Sequence, residues 1–422
     1  MNRSLFLKNT FSYSVLSSLL IDSPLTALAL QPDKQHPEYE GRSLVLVQLE
    51  GGNDGLNTVI PIDQYANLYK ARKNLIIPDK KILPLHNSSV TGFHPALKEL
   101  QSLYNHNQIT VIQGVGCSNP DLSHFKAIDI WHTGVDSADT IPTGWLGRFL
   151  DNQQRDTQDT TDHPPAIQIG VALSKILQGS SANNGMLVRD TSYFYQFLSG
   201  PYGSFPPSQA GNNQLSFLRN TIEASKKYLQ KVKAAANAQK NLSKMYPPQG
   251  TNELADQLKI VAQLIGGGLQ TRVYTVNLKG FDTHEEQVDS TDTGSGTHAD
   301  LLAQVSIAIA AFEDDLDLMG KRDKVVGMVY SEFGRRIKSN ASYGCDHGTS
   351  APVILFGSKL RGGVVGTNPQ IAANVGVNDN LATQIDFRSV YASVLHGWLG
   401  ASQSETSSTL LGTYPLLDLF TA

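Results

Sequence analysis

Ser43-Leu44-Val45-Leu46-Val47-Gln48-Leu49 runs directly into Glu50-Gly51-Gly52-Asn53-Asp54-Gly55. A short, nearly continuous apolar run is how a strand buried on both faces of a parallel sheet reads. Glycines packed around a single acid suit a tight turn at the strand's carboxyl end, the edge where open α/β sheets place ligands. The same grammar recurs along the chain. Ile109 to Gln113 precedes the Cys117 to Asp121 loop, Arg272 to Leu278 precedes Gly280-Phe281-Asp282-Thr283-His284, and Lys324 to Tyr330 precedes Ser331-Glu332-Phe333-Gly334-Arg335. Helical patterns lie between them at Pro95 to Asn105, Leu122 to Trp131, Gln214 to Lys244, Asn252 to Ile265 and His298 to Leu318. Alternating strand and helix predict an α/β fold with one mainly parallel sheet covered on both faces.

The 422 residues, 40% apolar, are ample for one large core. With 34 basic against 38 acidic side chains the net charge is -4, and no Lys/Arg cluster marks a polyanion-binding stripe, so nucleic acid is not an expected partner. Residues 1–30 read differently from the rest. Arg3 and Lys8 are followed by an apolar stretch from Phe11 to Ile21 and then by Ala27-Leu28-Ala29, the order of a secretory signal peptide, with an anchoring helix as the alternative. Residues 31–422 then read as a single domain with a helical insertion around 212–267, and no later stretch approaches the roughly 20 apolar residues of a membrane span. The polar stretches Gln153 to Pro165 and Glu285 to Gly296 read as solvated connectors rather than lids. Cys117 and Cys345 are the sole cysteines and leave room for one disulfide in an oxidising compartment, or for two unrelated buried thiols.

Several side chains could carry chemistry. A carboxylate at Asp54, held by glycine turns, can reach a metal unobstructed, or can bond its own backbone as an Asx-turn acid. Asp282-Thr283-His284 puts an acid and an imidazole two residues apart, both suitable zinc donors. Asp346-His347-Gly348-Thr349 stands before the strand pattern Ala351 to Phe356, where an acid can fix the tautomer of a ligand or proton-carrying histidine. Ser123-His124-Phe125 falls near the start of a helix whose expected cap is Ser118. Ser123 there is either a nucleophile favoured by the helix dipole or ordinary capping chemistry. Arg148 and Arg335 could each clamp a tetrahedral anion, or pair with a carboxylate that orders the site.

Taken in order, the motifs GGNDG (51–55), GFHPAL (92–97), SHF (123–125), GWLGRFL (144–150), FDTH (281–284), SEFGR (331–335) and DHG (346–348) closely resemble the exported bacterial domain-of-unknown-function family 1501, from about Leu44 to the C-terminus. That family is similar in turn to the alkaline phosphatase and sulfatase superfamily. The likeness implies a three-layer α/β/α sandwich with metal ligands at the carboxyl ends of strands. On it, Asp54 matches the first-strand metal acid, Ser123 falls where the nucleophile would, Asp282 and His284 resemble the later Asp/His pair, and His347 resembles the last metal histidine. Glu332-Phe333 stands where the superfamily has an Asp-His or Asp-Asn step, which puts an apolar ring in place of one usual ligand. The resemblance therefore implies one divalent ion, zinc among the candidates, drawn to donors among Asp54, Asp282, His284, Glu332, Asp346 and His347, rather than a two-metal cluster.

The expected activity is metal-dependent hydrolysis of a small anionic phosphate or sulfate ester outside the cytoplasm, with Ser123, His124 and Arg148 as catalytic groups. The alternative is a non-catalytic relative that binds a ligand or a second exported protein in the same pocket. Family members usually carry a twin-arginine signal; Arg3-Ser4-Leu5-Phe6-Leu7-Lys8 keeps one arginine, which leaves the twin-arginine and general secretory routes both open.

Overall fold

Strand β1 spans Ser43–Leu49, as its apolar run predicts, and its side chains split cleanly between two cores. Val45, Val47 and Leu49 enter one buried cluster, while Leu44 and Leu46 enter another. A strand that is apolar on both faces needs cover on both. In this computed structural model, which describes residues 39–136, 139–156, 163–180, 183–189 and 228–421, it has that cover. The first core holds the helices Lys98–Asn105, Glu253–Gly266 and Thr297–Leu318; the second holds His124–Thr133, Trp145–Asp156 and Phe387–Gly397.

The remaining strands are β2 (Val59–Pro61), β3 (Leu83–Leu85), β4 (Ser88–Phe93), β5 (Ile109–Gly116), β6 (Ala166–Ile169), β7 (Gly185–Val188), β8 (Val273–Leu278), β9 (Val325–Ser331), β10 (Ala351–Phe356), β11 (Gly363–Val365) and β12 (Ile385–Asp386). The main sheet has the order β11-β5-β10-β9-β1-β8-β6-β7, with β12 against β5; β2, β4 and β3 form a small antiparallel sheet. β1 lies parallel to both β8 and β9, and β6 is parallel to β8 and β7. β10 is antiparallel to both of its neighbours, β9 and β5. The architecture is a three-layer α/β/α sandwich around a mainly parallel sheet.

The reversal of β10 decides where the chemistry gathers. The loops after β1, β5, β8 and β9 leave the sheet at its carboxyl edge, and β10 enters at that same edge, so the Asp346-His347 segment before it joins them. Two glycines let these loops close together. Gly51, at φ 122°, would put a Cβ 2.3 Å from the Asp282 backbone nitrogen, and Gly52, at φ 81°, would put one 2.2 Å from the Phe333 ring.

Contacts divide the chain into Met1–Glu40 and Gly41–Ala422, and the architecture above belongs to the second unit. Residues 1–30, read as a signal, residues 214–227 of the Gln214 to Lys244 helix and part of the Gln153 to Pro165 loop lie outside the described residues; of the remainder of that helix, residues 228–238 are helical and 239–244 are not. No helix among the described residues is long and apolar enough to cross a membrane. The Glu253–Gly266 helix packs on β8 and on the Thr297–Leu318 helix as part of the covering layer. The Glu285 to Gly296 stretch is more than a solvated connector, because Gln287 and Val288 within it are buried.

Both cysteines are free and buried, which is the second of the two sequence readings, unrelated thiols rather than a bridge. They belong to different clusters: Cys117 to the second core, Cys345 to a small group with Leu75 and Val288. The Cys345 thiol faces Gln287 Oε1 at 3.1 Å and Asp54 Oδ2 at 3.7 Å.

Candidate metal centre

The helix after β5 begins at His124, with Ser123 rather than Ser118 at the cap position. Ser123 takes extended backbone angles and its side chain makes no capping bond; its N–H instead donates to Asp121 Oδ1 at 2.8 Å. The hydroxyl is thus not engaged in the role that most often explains a serine at a helix start. Its neighbours on either side both touch the cluster described next.

Three imidazoles converge on Asp282. His347 Nε2 lies 3.1 Å and His284 Nε2 3.2 Å from Asp282 Oδ1, and His124 Nε2 lies 3.4 Å from Asp282 Oδ2. His284 Nε2 and His347 Nε2 are 2.8 Å apart. Ligating atoms of His124, Asp282 and His347 all fall within 4.8 Å of one another. The far nitrogen of each ring faces an oxygen: His124 Nδ1 meets Glu332 Oε1 at 2.9 Å, His347 Nδ1 meets the Leu122 carbonyl at 2.7 Å, and His284 Nδ1 meets Asp346 Oδ1 at 3.2 Å. Oxygen acceptors at every Nδ1 select the tautomer that carries its proton there, which leaves three Nε2 lone pairs directed at one carboxylate.

Lone pairs so arranged repel unless a cation stands among them. Ligand atoms at about 2.0–2.1 Å from a tetrahedral zinc are roughly 3.3 Å apart, close to the 2.8, 3.1 and 3.2 Å sides of the triangle formed by His284 Nε2, His347 Nε2 and Asp282 Oδ1. The donor set fits a divalent ion.

Asp282 is held in its charged form. Burial opposes ionisation, but the Arg335 guanidinium, through its hydrogen bond and its charge, leads the groups that outweigh it and bring the carboxyl down to about 2. Burial likewise favours neutral His347, whose value is lowered. Arg335 is fully buried: beyond Asp282 Oδ1 at 2.7 Å it donates to the carbonyls of Gly51, Gly52, Phe281 and Cys345. One guanidinium therefore ties the loops after β1, β8 and β9 together, and of its two sequence readings it fulfils the pairing with a carboxylate.

Glu332 and Asp346 stand behind the imidazoles instead of among the inner donors, and Glu332 also accepts the Gly51 N–H at 2.8 Å. Phe333 is buried, with its ring 5.0 Å from His124 and 4.5 Å from His347, so it walls the cluster on one side.

Two residues from the sequence analysis lie elsewhere. Asp54 is wholly buried, and its oxygens receive Arg72 Nη1 at 2.9 and 2.7 Å and Gln287 Nε2 at 2.7 Å. Burial resists its charge, yet Arg72 and His298 keep its carboxyl below the ordinary value. An acid so saturated ties the β1 turn to the body of the fold and offers nothing to an ion. Arg148 donates to the carbonyls of Thr133, Thr143 and Thr409 at 2.7, 3.0 and 2.7 Å, bracing helix ends rather than clamping an anion.

Sequence reasoning missed Arg72 and Gln287, whose partner is hundreds of residues away in one case and without motif in both. It also missed Arg336, which bonds the His347 carbonyl at 3.2 Å and stands 3.9 Å from Asp346. The proximity of an arginine pair to the Glu332 motif was the available signal.

The family model described as "Protein of unknown function (DUF1501)" matches residues 136–407. The chain belongs to the DUF1501 family. The match is narrower than the span over which the motifs resemble it, since GGNDG and SHF precede residue 136. No curated protein matches this DUF1501 chain. Similar solved structures include a protein in the alkaline phosphatase superfamily from Vibrio parahaemolyticus (TM-score 0.37, 10% identity, covering 90% of this chain and 72% of that one). A sulfatase from Pseudoalteromonas sp. has TM-score 0.37 and 11% identity, covering 89% and 70%. A lipoteichoic acid synthase from Listeria monocytogenes has TM-score 0.36 and 10% identity, covering 90% and 77%. At these scores the reading of function rests on the site's own geometry.

Proposed function

We propose that this chain is an exported hydrolase of phosphate or sulfate esters that uses one divalent metal ion held by Asp282, His284 and His347, with His124 completing the donor set. The observation that carries the reading is the convergence of three Nε2 lone pairs on one carboxylate, each imidazole backed by an oxygen at Nδ1. Bound there, the ion would supply Lewis-acid polarisation of an ester oxygen and a lowered pKa for a coordinated hydroxyl.

The protein's own groups set up the rest. Glu332 and Asp346 fix the rings of His124 and His284, as carboxylates behind metal-bound histidines do. Arg335 keeps Asp282 anionic. Ser123 sits between Leu122, whose carbonyl orients His347, and His124, with its hydroxyl free of capping duty, so it is the candidate nucleophile. The start of a ten-residue helix favours negative charge on that oxygen.

The test is turnover of p-nitrophenyl phosphate and p-nitrophenyl sulfate by purified protein supplemented in turn with zinc, manganese, magnesium and calcium. Metal-dependent turnover should fall by about a hundredfold or more in Ser123→Ala and Asp282→Asn. Absence of turnover with every ion would reject hydrolysis of these esters and favour the ligand-binding alternative.

A further inference from the structure

A second feature opens at the same sheet edge: a cleft of about 730 Å³ over the ends of β1, β6 and β8. Its origin is visible in the strand pairing. β6 follows β8 only as far as Gln168 opposite Thr275, while β8 continues to Leu278. Beyond that point Gln257 takes over the freed strand edge, donating to the Asn277 carbonyl at 2.7 Å and accepting its N–H at 3.1 Å.

The floor of the cleft departs from the rule for a doubly covered sheet. On the face that carries Leu44, Ala166, Val273 and Val326 into the second core, the rows nearer the carboxyl edge turn polar. Gln48 is level with Asn277 on one side and Tyr330 on the other, and Gln168 is level with Thr275. Four adjacent strands thus place amides and hydroxyls where apolar side chains would stabilise the fold more.

The wall above mixes apolar side chains, Ile128, Val171, Leu173 and Ile260 among them, with a polar group. His132, nearly buried, meets Gln48 Oε1 through Nε2 at 3.2 Å and Ser174 Oγ through Nδ1 at 3.2 Å, and Gln168 Oε1 accepts the Ser174 N–H at 2.6 Å. Burial lowers the His132 value to about 4, so the ring is neutral at physiological pH. The Thr275 hydroxyl, on a side chain only 7% exposed, has no hydrogen-bond partner. Around the mouth, Arg189, Lys259 and Lys279 are balanced by Glu50, Glu253 and Asp256.

We infer that this cleft is a binding site for a neutral saccharide of about two rings. Amides and hydroxyls both donate and accept, which matches sugar hydroxyls, and neither the neutral interior nor the balanced rim selects a charged ligand. A peptide added as a strand is disfavoured because Gln257 already occupies the open edge of β8. The volume lies in the range of pockets that take small organic ligands, roughly 300–1,000 Å³.

The site is distinct from the metal centre, and the experiment separates the two. Cellobiose, maltose, N,N'-diacetylchitobiose and, as the charged arm, digalacturonic acid would be titrated into the full chain by calorimetry. At least one neutral disaccharide should bind saturably, with affinity reduced tenfold or more in Thr275→Val and in Gln48→Leu and unchanged in Asp282→Asn. Thr275→Val is close to isosteric and keeps the test open if Gln48→Leu fails to fold. No binding by any of the three neutral sugars, binding by the charged one alone, or affinity unchanged in Thr275→Val would each overturn the proposal.

Discussion

Asp54 and Asp282 look interchangeable in sequence, each an acid just past a buried strand, and the structure gives them opposite work. Asp54 neutralises Arg72 inside the fold, with both side chains fully buried. Breaking such a pair from one side leaves an unpartnered buried charge, at a cost of about 3–5 kcal/mol. Asp54→Ala should therefore lower the unfolding free energy by that amount in chemical denaturation, while the folded fraction keeps its metal stoichiometry. Asp282, nearly half exposed, also pairs with buried Arg335, so Asp282→Asn should lose the ion and some stability, while the Asn amide oxygen still accepts from the guanidinium. Proximity of Asp282, His284, Asp346 and His347 to strand ends was legible from motifs. Arg335 was legible too, as one of two readings of the SEFGR motif, but the partners that saturate Asp54 were not, because Arg72 and Gln287 carry no local pattern. The thiols fall in the same class. Native protein should show no reactive thiol toward Ellman's reagent, and denatured protein should show two without reductant.

At the scale of elements, β1 and β10 were readable to the residue, because an apolar run bounded by glycine or polar motifs leaves few alternatives. The direction of β10 was not. Nothing in Ala351 to Phe356 says that the strand runs against its neighbours, yet that reversal brings His347 to the carboxyl edge. Helix starts were less accurate, since Pro120 and Asp121 imitate a first turn that the chain delays to His124. Close approach of the loops depends on Gly52, whose positive φ and contact with Phe333 leave no room for a side chain. Gly52→Ala should cost at least 1–3 kcal/mol through backbone strain and the displaced ring. It should also weaken metal affinity, and Phe333→Leu in the same chain should recover part of the stability by vacating space.

Across the whole molecule, stability should carry a pH signature unrelated to the metal. Glu313 is buried in the Thr297–Leu318 helix with one carboxylate oxygen unpartnered. Burial raises its pKa from 4.5 to about 7 against the pull of Arg322. Stability from its protonated form is fully present below 4.5 and is lost as pH rises through about 7. Glu313→Gln should thus leave unfolding free energy nearly unchanged at pH 4 and raise it by roughly 1–3 kcal/mol at pH 8, read from urea denaturation at both. The layered fold was legible from the sequence because alternating strands and helices constrain it strongly. The cleft beside β6 was not, since it follows from where one strand stops. The central claim is that three imidazoles and Asp282 hold an ion. It is tested most directly by elemental mass spectrometry of the purified, metal-equilibrated chain beside Asp282→Asn and His347→Ala. The account predicts about one divalent ion per wild-type chain and a near-complete loss in both variants. A wild-type chain that retains no ion after equilibration with zinc, manganese, magnesium or calcium, or variants that retain it in full, would contradict it.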